Sequence, residues 1–533
     1  MHNITFTIFK TLEMASPREK FVAALKTLKE IQDKGIVAIY TSDLSASHRS
    51  ILVKNGFLIE VSKGWYIPSD PEEQKGDSTS WFSSYWDFCA RFLKKKYRNE
   101  YSIAPETSLL IHAGNWAVPA QLVVRAPKAN NTITPLPHNT SLFNLKAELP
   151  AKEIVTIEKE IRMYSLQGAL IYSTPSIFLS NPIDARTALS MIRDSSELLP
   201  ILLDNNHTRI AGRLAGAFRN LGRDKLAAGI IDAMKAAGYD IRETDPFEYK
   251  LDINLSSRER SAHVNRIKLL WHDMRTVIIK KFPNAPGIPL KKAEYIKNVD
   301  DLFITDAYHS LSIERYRVTP ELIERVSSGK WDKSTNEEDK RQRDAMAARG
   351  YWQAFQRVKE TIIAILENAQ PGKQADQDHL KWYRELFDPN VSAGILKASD
   401  LAGYRNSQLF IGGSKHTPLS VEAMRDTMPV LFELLEEEPE ASVRAVLGHF
   451  VFVFIHPYMD GNGRMGRFLM NVMLASGGYP WTVIPVEKRT DYMSALEKAS
   501  AEMNIAPFAS FIAELVNLGI EGKPAATLKN AEE

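Results

Sequence analysis

His456-Pro457-Tyr458-Met459-Asp460-Gly461-Asn462-Gly463-Arg464-Met465-Gly466-Arg467 is the stretch on which the fold of the second half of the chain turns. Upstream of it Ala445, His449, Phe452 and His456 recur at helical spacing, so Val443 to Ile455 reads as a buried helix ending near His456. Pro457 disfavours helical backbone at the residue before it and turns the His456 side chain into a loop. Gly461 and Gly463 let the backbone approach a ligand closely, with N–H groups aimed at an anion. A second helix begins near Arg464, and its unpaired N–H groups and dipole add to the same anion site. Helix, anion-cradling loop and helix is the local fold this segment implies.

The side chains agree with that geometry. Arg464 and Arg467 stand three apart on adjoining faces of the second helix, both able to reach a polyphosphate. Asp460 supplies a hard oxygen suited to Mg²⁺ bridging two phosphates. His456 has the resting pKa of a group that accepts a proton from an attacking hydroxyl. Together they form the equipment for handling a nucleotide's phosphates.

The segment resembles the signature of Fic-domain proteins, H-P-F-x-D/E-G-N-G-R-x-x-R, with Tyr458 in the Phe position, where a ring is retained. The resemblance extends from about residue 260 to Leu518 and implies an all-α Fic domain over 260–520 with a β-hairpin flap. Gln408-Leu409-Phe410-Ile411-Gly412-Gly413-Ser414 resembles that flap, which in the family pairs with an extended segment of the target protein by β-strand addition. Arg489-Thr490-Asp491-Tyr492 and the helix to Ser500 resemble the border of the adenine pocket, although asparagine is common where Ser500 stands.

The activity this resemblance implies is AMPylation: AMP passes from Mg·ATP to a Ser, Thr or Tyr hydroxyl of a target protein, and pyrophosphate leaves. His456 would be the catalytic base and Asp460 the Mg²⁺ ligand. Gly461, Asn462, Gly463, Arg464, Arg467, Ile411, Gly412, Gly413, Ser414, Tyr492 and Ser500 would bind the nucleotide. Ser310-Leu311-Ser312-Ile313-Glu314, on a helix of about 302–315, resembles the family's inhibitory sequence S/T-x-x-x-E-G/N. The resemblance implies that Glu314 pairs with Arg467 and takes the place a γ-phosphate needs, and Ser310 belongs to the same inhibitory motif. Arg315 occupies the usual Gly/Asn position, where a left-handed residue often ends a helix. Some proteins with this glutamate also remove AMP, and self-modification is common in the family.

The N-terminal region reads differently. Phe21, Leu25, Leu28 and Ile31 recur at helical spacing until Gly35, Thr41-Ser42-Asp43-Leu44 offers an N-cap, and a second helix spans about Ala46 to Lys54. Phe57 to Val61 and Trp65 to Ile67 read as strands joined at Ser62-Lys63-Gly64. Helix, turn, helix and hairpin describe an α+β winged helix over 14–70. Arg49, Gly56, Phe57, Leu58, Gly64 and Tyr66 resemble a string in abortive-infection antitoxins and related regulators. On that resemblance Ser47, Arg49 and Ser50 would face a DNA major groove and Lys63 a phosphate at the wing tip. The alternative function is therefore a DNA-binding, antitoxin-like transcriptional regulator with a silent or other-group-transferring Fic domain.

Residues 71–245 read as a mixed α/β scaffold of the same antitoxin-like kind. It has strands at Gln121–Val124 and Ile154–Ile157, and helices near Arg186–Ile192 and Asn205–Ala237. His112 and His138 lack metal-ligand spacing. The polar Lys330–Asn336 stretch reads as exposed, the residues before Met14 as a loose extension, and 521–533 as a disordered tail.

Composition frames these readings. A length of 533 residues argues for several domains, and 44% hydrophobic with 25% charged residues is a soluble globular balance. The formal net charge of +2 argues neither for nor against nucleic acid. The lone Cys89, in an aromatic run, reads as a packing residue and excludes an intramolecular disulfide. No apolar run approaches the ~20 residues that span a bilayer, so a cytoplasmic protein without a membrane partner is expected. Oligomeric state stays open.

Overall fold

The computed structural model describes residues 16–73, 76–250, 261–328, 343–394, 396–397, 399, 403–523 and 525–528. The stretch before Met14 and the Lys330–Asn336 segment lie outside these residues. The chain divides into two compact units: Met1–Thr107, Val118–Ser165 and Gly412–Ser414 form one, and Ser108–Ala117, Leu166–Ile411 and Lys415–Glu533 the other.

In the first unit the Pro17–Gln32 helix opens with a capping box. The Glu19 N–H donates to Ser16 Oγ at 3.3 Å and the Ser16 N–H to Glu19 Oε2 at 2.7 Å, satisfying two amides a helix start leaves open. Strand β1 (Ile39–Tyr40) and a short 3₁₀ turn lead to the Ala46–Lys54 helix, then β2 (Leu58–Ser62) and β3 (Trp65–Pro68). The N-cap of the second helix is Ser45, whose Oγ accepts from the His48 N–H at 3.1 Å; the Thr41–Asp43 stretch expected to cap it forms the 3₁₀ turn instead. The three strands pair antiparallel in the order β1-β3-β2, and Gly64 at φ 77° makes the hairpin turn. Ala24, Leu28, Ile31, Leu52 and Leu58 form the core of this part.

The Thr79–Tyr97 helix follows, burying Trp81, Tyr85, Phe88 and Cys89. Burial pushes the Cys89 thiol far up, which suits packing and not nucleophilic attack. A four-stranded sheet has the order β4-β5-β7-β6, from β4 (Ser102–Ile103), β5 (Gln121–Ala126), β6 (Thr132–Leu136) and β7 (Thr140–Lys146). Only β5 and β7 run parallel in it. β8 (Val155–Glu158) and β9 (Ile161–Tyr164) make a separate ribbon.

The second unit is helical. The division expected near residue 245 is displaced, because the helices from Leu166 onward pack with the C-terminal half. Arg266 on the Ala262–Lys281 helix reaches Asp184 on the Pro182–Ser190 helix at 3.1 Å, with both side chains at most 2% exposed. Asn265 donates to Ser190 Oγ at 3.0 Å beside them. The single helix expected over Asn205–Ala237 is two, Thr208–Asn220 and Asp224–Ala236, parted at Gly222 with φ 70°. At the centre lies the Ala441–Ile455 helix, buried at every position but Val453. The Asn462–Ala475 helix, the Arg343–Leu366 and Pro371–Ser392 helices, and the Phe303–Ile313 helix join the same core.

Two further expectations are corrected. Residues 403–420 contain no strand, so the hairpin ladder expected for the flap is absent from the described residues. The segment is held by side chains instead: Gln408 Nε2 donates to Pro418 O at 2.9 Å, and Arg405 donates to the Ser407 carbonyl at 2.8 Å and to the Leu419 carbonyl. The expected disordered tail is partly ordered, since Ala525 and Ala526 pack against the core; 529–533 lie outside the described residues. Among the described residues no helix is long and apolar enough to cross a membrane.

Candidate active site

His456 ends the Ala441–Ile455 helix in the left-handed region, at φ 58° and ψ 62°. Its N–H still completes the helix by donating to Phe452 O at 3.0 Å, while Pro457 keeps the turn from continuing. A non-glycine residue held there stores of order 1 kcal/mol of strain, a cost tolerated where a side chain must be aimed. The ring's Nδ1 lies 3.1 Å from Val453 O. A carbonyl can only accept, so Nδ1 carries the proton and the lone pair of the neutral ring sits on Nε2. Burial, reinforced by the Arg405 charge, pushes the imidazole down to about 4, against the opposing Val453, Glu314 and Asp460 contributions. The ring is therefore unprotonated at neutral pH.

The loop after it is pinned from both sides. Arg405, buried at 1% exposure, donates from Nε to His456 O and from its backbone N–H to Pro457 O, both at 2.8 Å. Asn462 accepts from the Tyr458 N–H at 2.9 Å and donates to Tyr458 O at 2.8 Å. Its amide, expected to bind phosphate, is thus engaged in shaping the loop. Tyr458 keeps the packing expected of the Phe position, stacked on Tyr383 with centroids 3.7 Å apart and planes at 6°. Its buried hydroxyl makes no hydrogen bond among the described residues.

Gly461, at φ 83°, precedes the helix that starts at Asn462, two residues before the expected start. Asp460 accepts from the Gly461 N–H at 2.6 Å and lies 3.3 Å from Arg464, its side chain 62% exposed. Arg464 is held between the Phe387 and Tyr316 rings, 5.0 and 5.1 Å from their centroids. Arg464 Nε and Arg467 Nη1 are buried donors without a hydrogen-bond partner among the described residues. Two such donors beside the N-terminus of a helix fit polyphosphate. One exposed carboxylate fits Mg²⁺, which takes most of its oxygens from phosphates and water. No cluster of three metal-ligating side chains occurs among the described residues.

Across from this loop stands the Phe303–Ile313 helix. Arg467 donates from Nη2 to Glu314 Oε1 at 2.8 Å and to Ser310 O at 3.0 Å, and from Nε to Ser310 Oγ at 2.9 Å. Burial raises the Glu314 carboxyl, but the Arg467 and Arg464 charges outweigh it and hold the group below the usual range. A Cβ at Gly463 would come 2.3 Å from Glu314 Oε1, so only glycine lets the carboxylate reach this close to the helix start. Arg489 caps the Phe303–Ile313 helix by donating to Ile313 O at 2.7 Å. Arg315 adopts the left-handed position with φ 65° despite its Cβ. Its N–H donates to Ser312 O at 3.0 Å and the Tyr316 N–H to Leu311 O at 3.1 Å, the pair of bonds that defines a Schellman end.

The other expected residues are placed as follows. Tyr492 is buried, its hydroxyl 2.8 Å from His449 Nε2, and Ser500 is buried on the same Arg489–Ala501 helix. Ile411 lies in the second unit, whereas Gly412, Gly413 and Ser414 are counted with the first. In the first unit Ser47, Ser50 and Lys63 are exposed. Arg49 is half-buried, donating to Thr41 O at 3.1 Å and lying 5.7 Å from the Tyr66 ring centroid. The roles of Arg405 and Arg489 were missed in sequence, because an isolated arginine carries no local pattern.

Residues 376–474 match the model of the Fic/DOC family. This segment of the chain is a Fic domain. The chain is 27% identical over 280 residues to a protein adenylyltransferase Fic of Nematostella vectensis, covering 51% of this chain and 60% of that protein. It is 31% identical over 114 residues to the protein adenylyltransferase fic-1 of Caenorhabditis elegans, covering 21% and 22%. The solved structure of C. elegans Fic-1 residues 134–508 covers 64% of this chain and 96% of its own, at 16% identity and a TM-score of 0.36. The chain thus spans 60% or less of the length of these curated relatives. Ser310 and Glu314, as well as Tyr492 and Ser500, lie outside the family match.

Proposed function

We propose that this protein is an adenylyltransferase that moves AMP from Mg·ATP to a Ser, Thr or Tyr hydroxyl of a target protein and is held back by Glu314. The observation that carries the reading is the constellation around Arg467: a neutral base at His456 and buried guanidinium donors at a helix N-terminus, with a carboxylate set on the same guanidinium. The relatives' names support the same activity.

The target hydroxyl gives its proton to His456 Nε2 as its oxygen attacks the α-phosphorus of ATP. A phosphorus–oxygen bond forms to the target, the bond to the bridging oxygen breaks, and pyrophosphate leaves with that electron pair. The Gly463 and Arg464 amides at the helix start and the Arg464 and Arg467 guanidiniums hold the triphosphate and offset the charge that grows on it. Asp460 would hold Mg²⁺, which supplies charge neutralisation to the phosphates. Arg467 in its present pairing is engaged by Glu314, so a γ-phosphate must displace that carboxylate to use it.

The test uses ATP labelled on the α-phosphate with wild type, Glu314→Gly and His456→Ala. Weak, strong and no labelling are expected in that order. Equal labelling of wild type and Glu314→Gly overturns the brake. Transfer from a γ-phosphate label instead of the α-label overturns adenylyl transfer.

A second reading concerns the first unit, whose helix, turn, helix and hairpin leave Ser47, Ser50 and Lys63 exposed. Its function is DNA binding by a winged helix, read out as salt-sensitive binding that Lys63→Glu weakens; binding that does not depend on salt would sink it.

A further inference from the structure

The Phe303–Ile313 helix carries one polar residue per turn toward Arg467: Asp306, Ser310 and, at its C-terminal end, Glu314. Ser310 and Glu314 touch the guanidinium directly. Asp306 lies one turn further back, 4% exposed, and accepts a hydrogen bond from the Tyr351 hydroxyl at 2.7 Å. Tyr351 thus gives its proton to the Asp306 carboxylate, one turn before the point where Arg467 Nε donates to Ser310 Oγ on the same helix. In a buried site such bonds hold their parts in a single arrangement.

We infer that Tyr351 and Asp306 are positioning residues of the inhibitory state, locking the rotation of the inhibitory helix so that Glu314 stays on Arg467. This rests on the proposed brake. Among the described residues neither is hydrogen-bonded to Glu314, and Tyr351 belongs to the Arg343–Leu366 helix, distant in sequence from both the brake and the motif. Tyr351 also packs on Phe468, next to Arg467, with ring centroids 4.8 Å apart. A hydroxyl placed there thus ties three helices at the point where the brake engages. The groups facing Asp306 are the Tyr351 hydroxyl, the Trp481 indole and the Arg467 charge. Burial raises the Asp306 carboxyl to about 6, with those three groups opposing the rise.

The experiment measures AMP transfer from α-labelled ATP by the full chain, as wild type and Tyr351→Phe, each with and without Glu314→Gly. Tyr351→Phe is expected to raise labelling roughly fivefold where Glu314 is present, the ratio corresponding to the net worth of one hydrogen bond. In the Glu314→Gly background it is expected to change labelling little, because no brake remains to position. Asp306→Asn, nearly isosteric, gives the same readout if Tyr351→Phe melts below the assay temperature. A purely packing role would lower labelling in both backgrounds alike. That outcome, or no rise for either variant while Glu314→Gly alone labels strongly, overturns the inference and leaves the brake standing. If Glu314→Gly itself fails to raise labelling, the brake falls and the inference with it.

Discussion

Arg315→Gly is expected to tighten the inhibition. Arg315 sits at φ 65°, just past the residue that pairs with Arg467, and closes the helix through its own N–H and that of Tyr316. A side chain with a Cβ costs about 1–2 kcal/mol in this region, and glycine removes that cost. Glycine also gains freedom in the unfolded chain, which returns about 0.5–1 kcal/mol. For global unfolding the net gain is therefore small, of order 0.5 kcal/mol, and hard to separate from error. Local release of Glu314 is the better readout, because the Cβ strain is relieved whenever this one turn opens while the rest of the domain stays folded. Removing about 1 kcal/mol of strain lowers the open fraction roughly fivefold, and basal labelling from α-labelled ATP should fall by a similar factor. The Arg315 side chain is exposed, so few contacts are lost with it. Labelling equal to or above that of wild type would refute the reasoning, since it would mean that this turn does not open on the way to activity.

Three further outcomes are expected. With the Glu314→Gly variant, kcat/KM for AMP transfer should hold down to about pH 5 and be lost as pH falls through about 4, because burial depresses His456 and only its neutral form accepts a proton; a midpoint near 6.5 would contradict the buried-base geometry. Tyr458→Phe should keep the Tyr383 stack and remove a buried hydroxyl that lacks a partner, raising stability by about 1 kcal/mol in urea unfolding; a loss of that size would mean the hydroxyl is satisfied. Arg266→Ala should destabilise the second unit by about 3–5 kcal/mol by leaving Asp184 charged and buried, measured as a fall in the denaturation midpoint, and a change below about 1 kcal/mol would argue against a buried pair.

Residues whose function depends on their near neighbours were legible in the chain. The helix before His456, the break at Pro457 and the glycines of the cradle follow from 3.6-residue spacing and from the backbone limits of proline and glycine, which act within a few residues. Position in the chain was less informative about partners. Asn462 looked like a phosphate ligand from its place in the motif, yet its amide closes a ring onto Tyr458 that only the folded loop reveals. Arg49 looked groove-facing from its helix, and only the fold shows its contacts with Thr41 and Tyr66. The flap's alternation around glycines was compatible with a hairpin. The folded segment is pinned by Gln408 and Arg405 side chains without a ladder, because strand pairing depends on what lies opposite and not on alternation alone.

The sequence by itself determined the chemistry on offer: a histidine turned into a loop, two arginines on one helix, a carboxylate beside them and a glutamate on a helix far upstream. Their relation was decided by the tertiary structure. Arg467 meets Glu314 and Ser310 because two helices distant in the chain pack across a shared core, which also brings in Tyr351 and Asp306. Arg405 and Arg489 reach the site only through carbonyls that the fold presents to them. Local backbone preferences are written in neighbouring residues, whereas contacts between distant ones exist only once burial of the apolar faces has set the helices against each other.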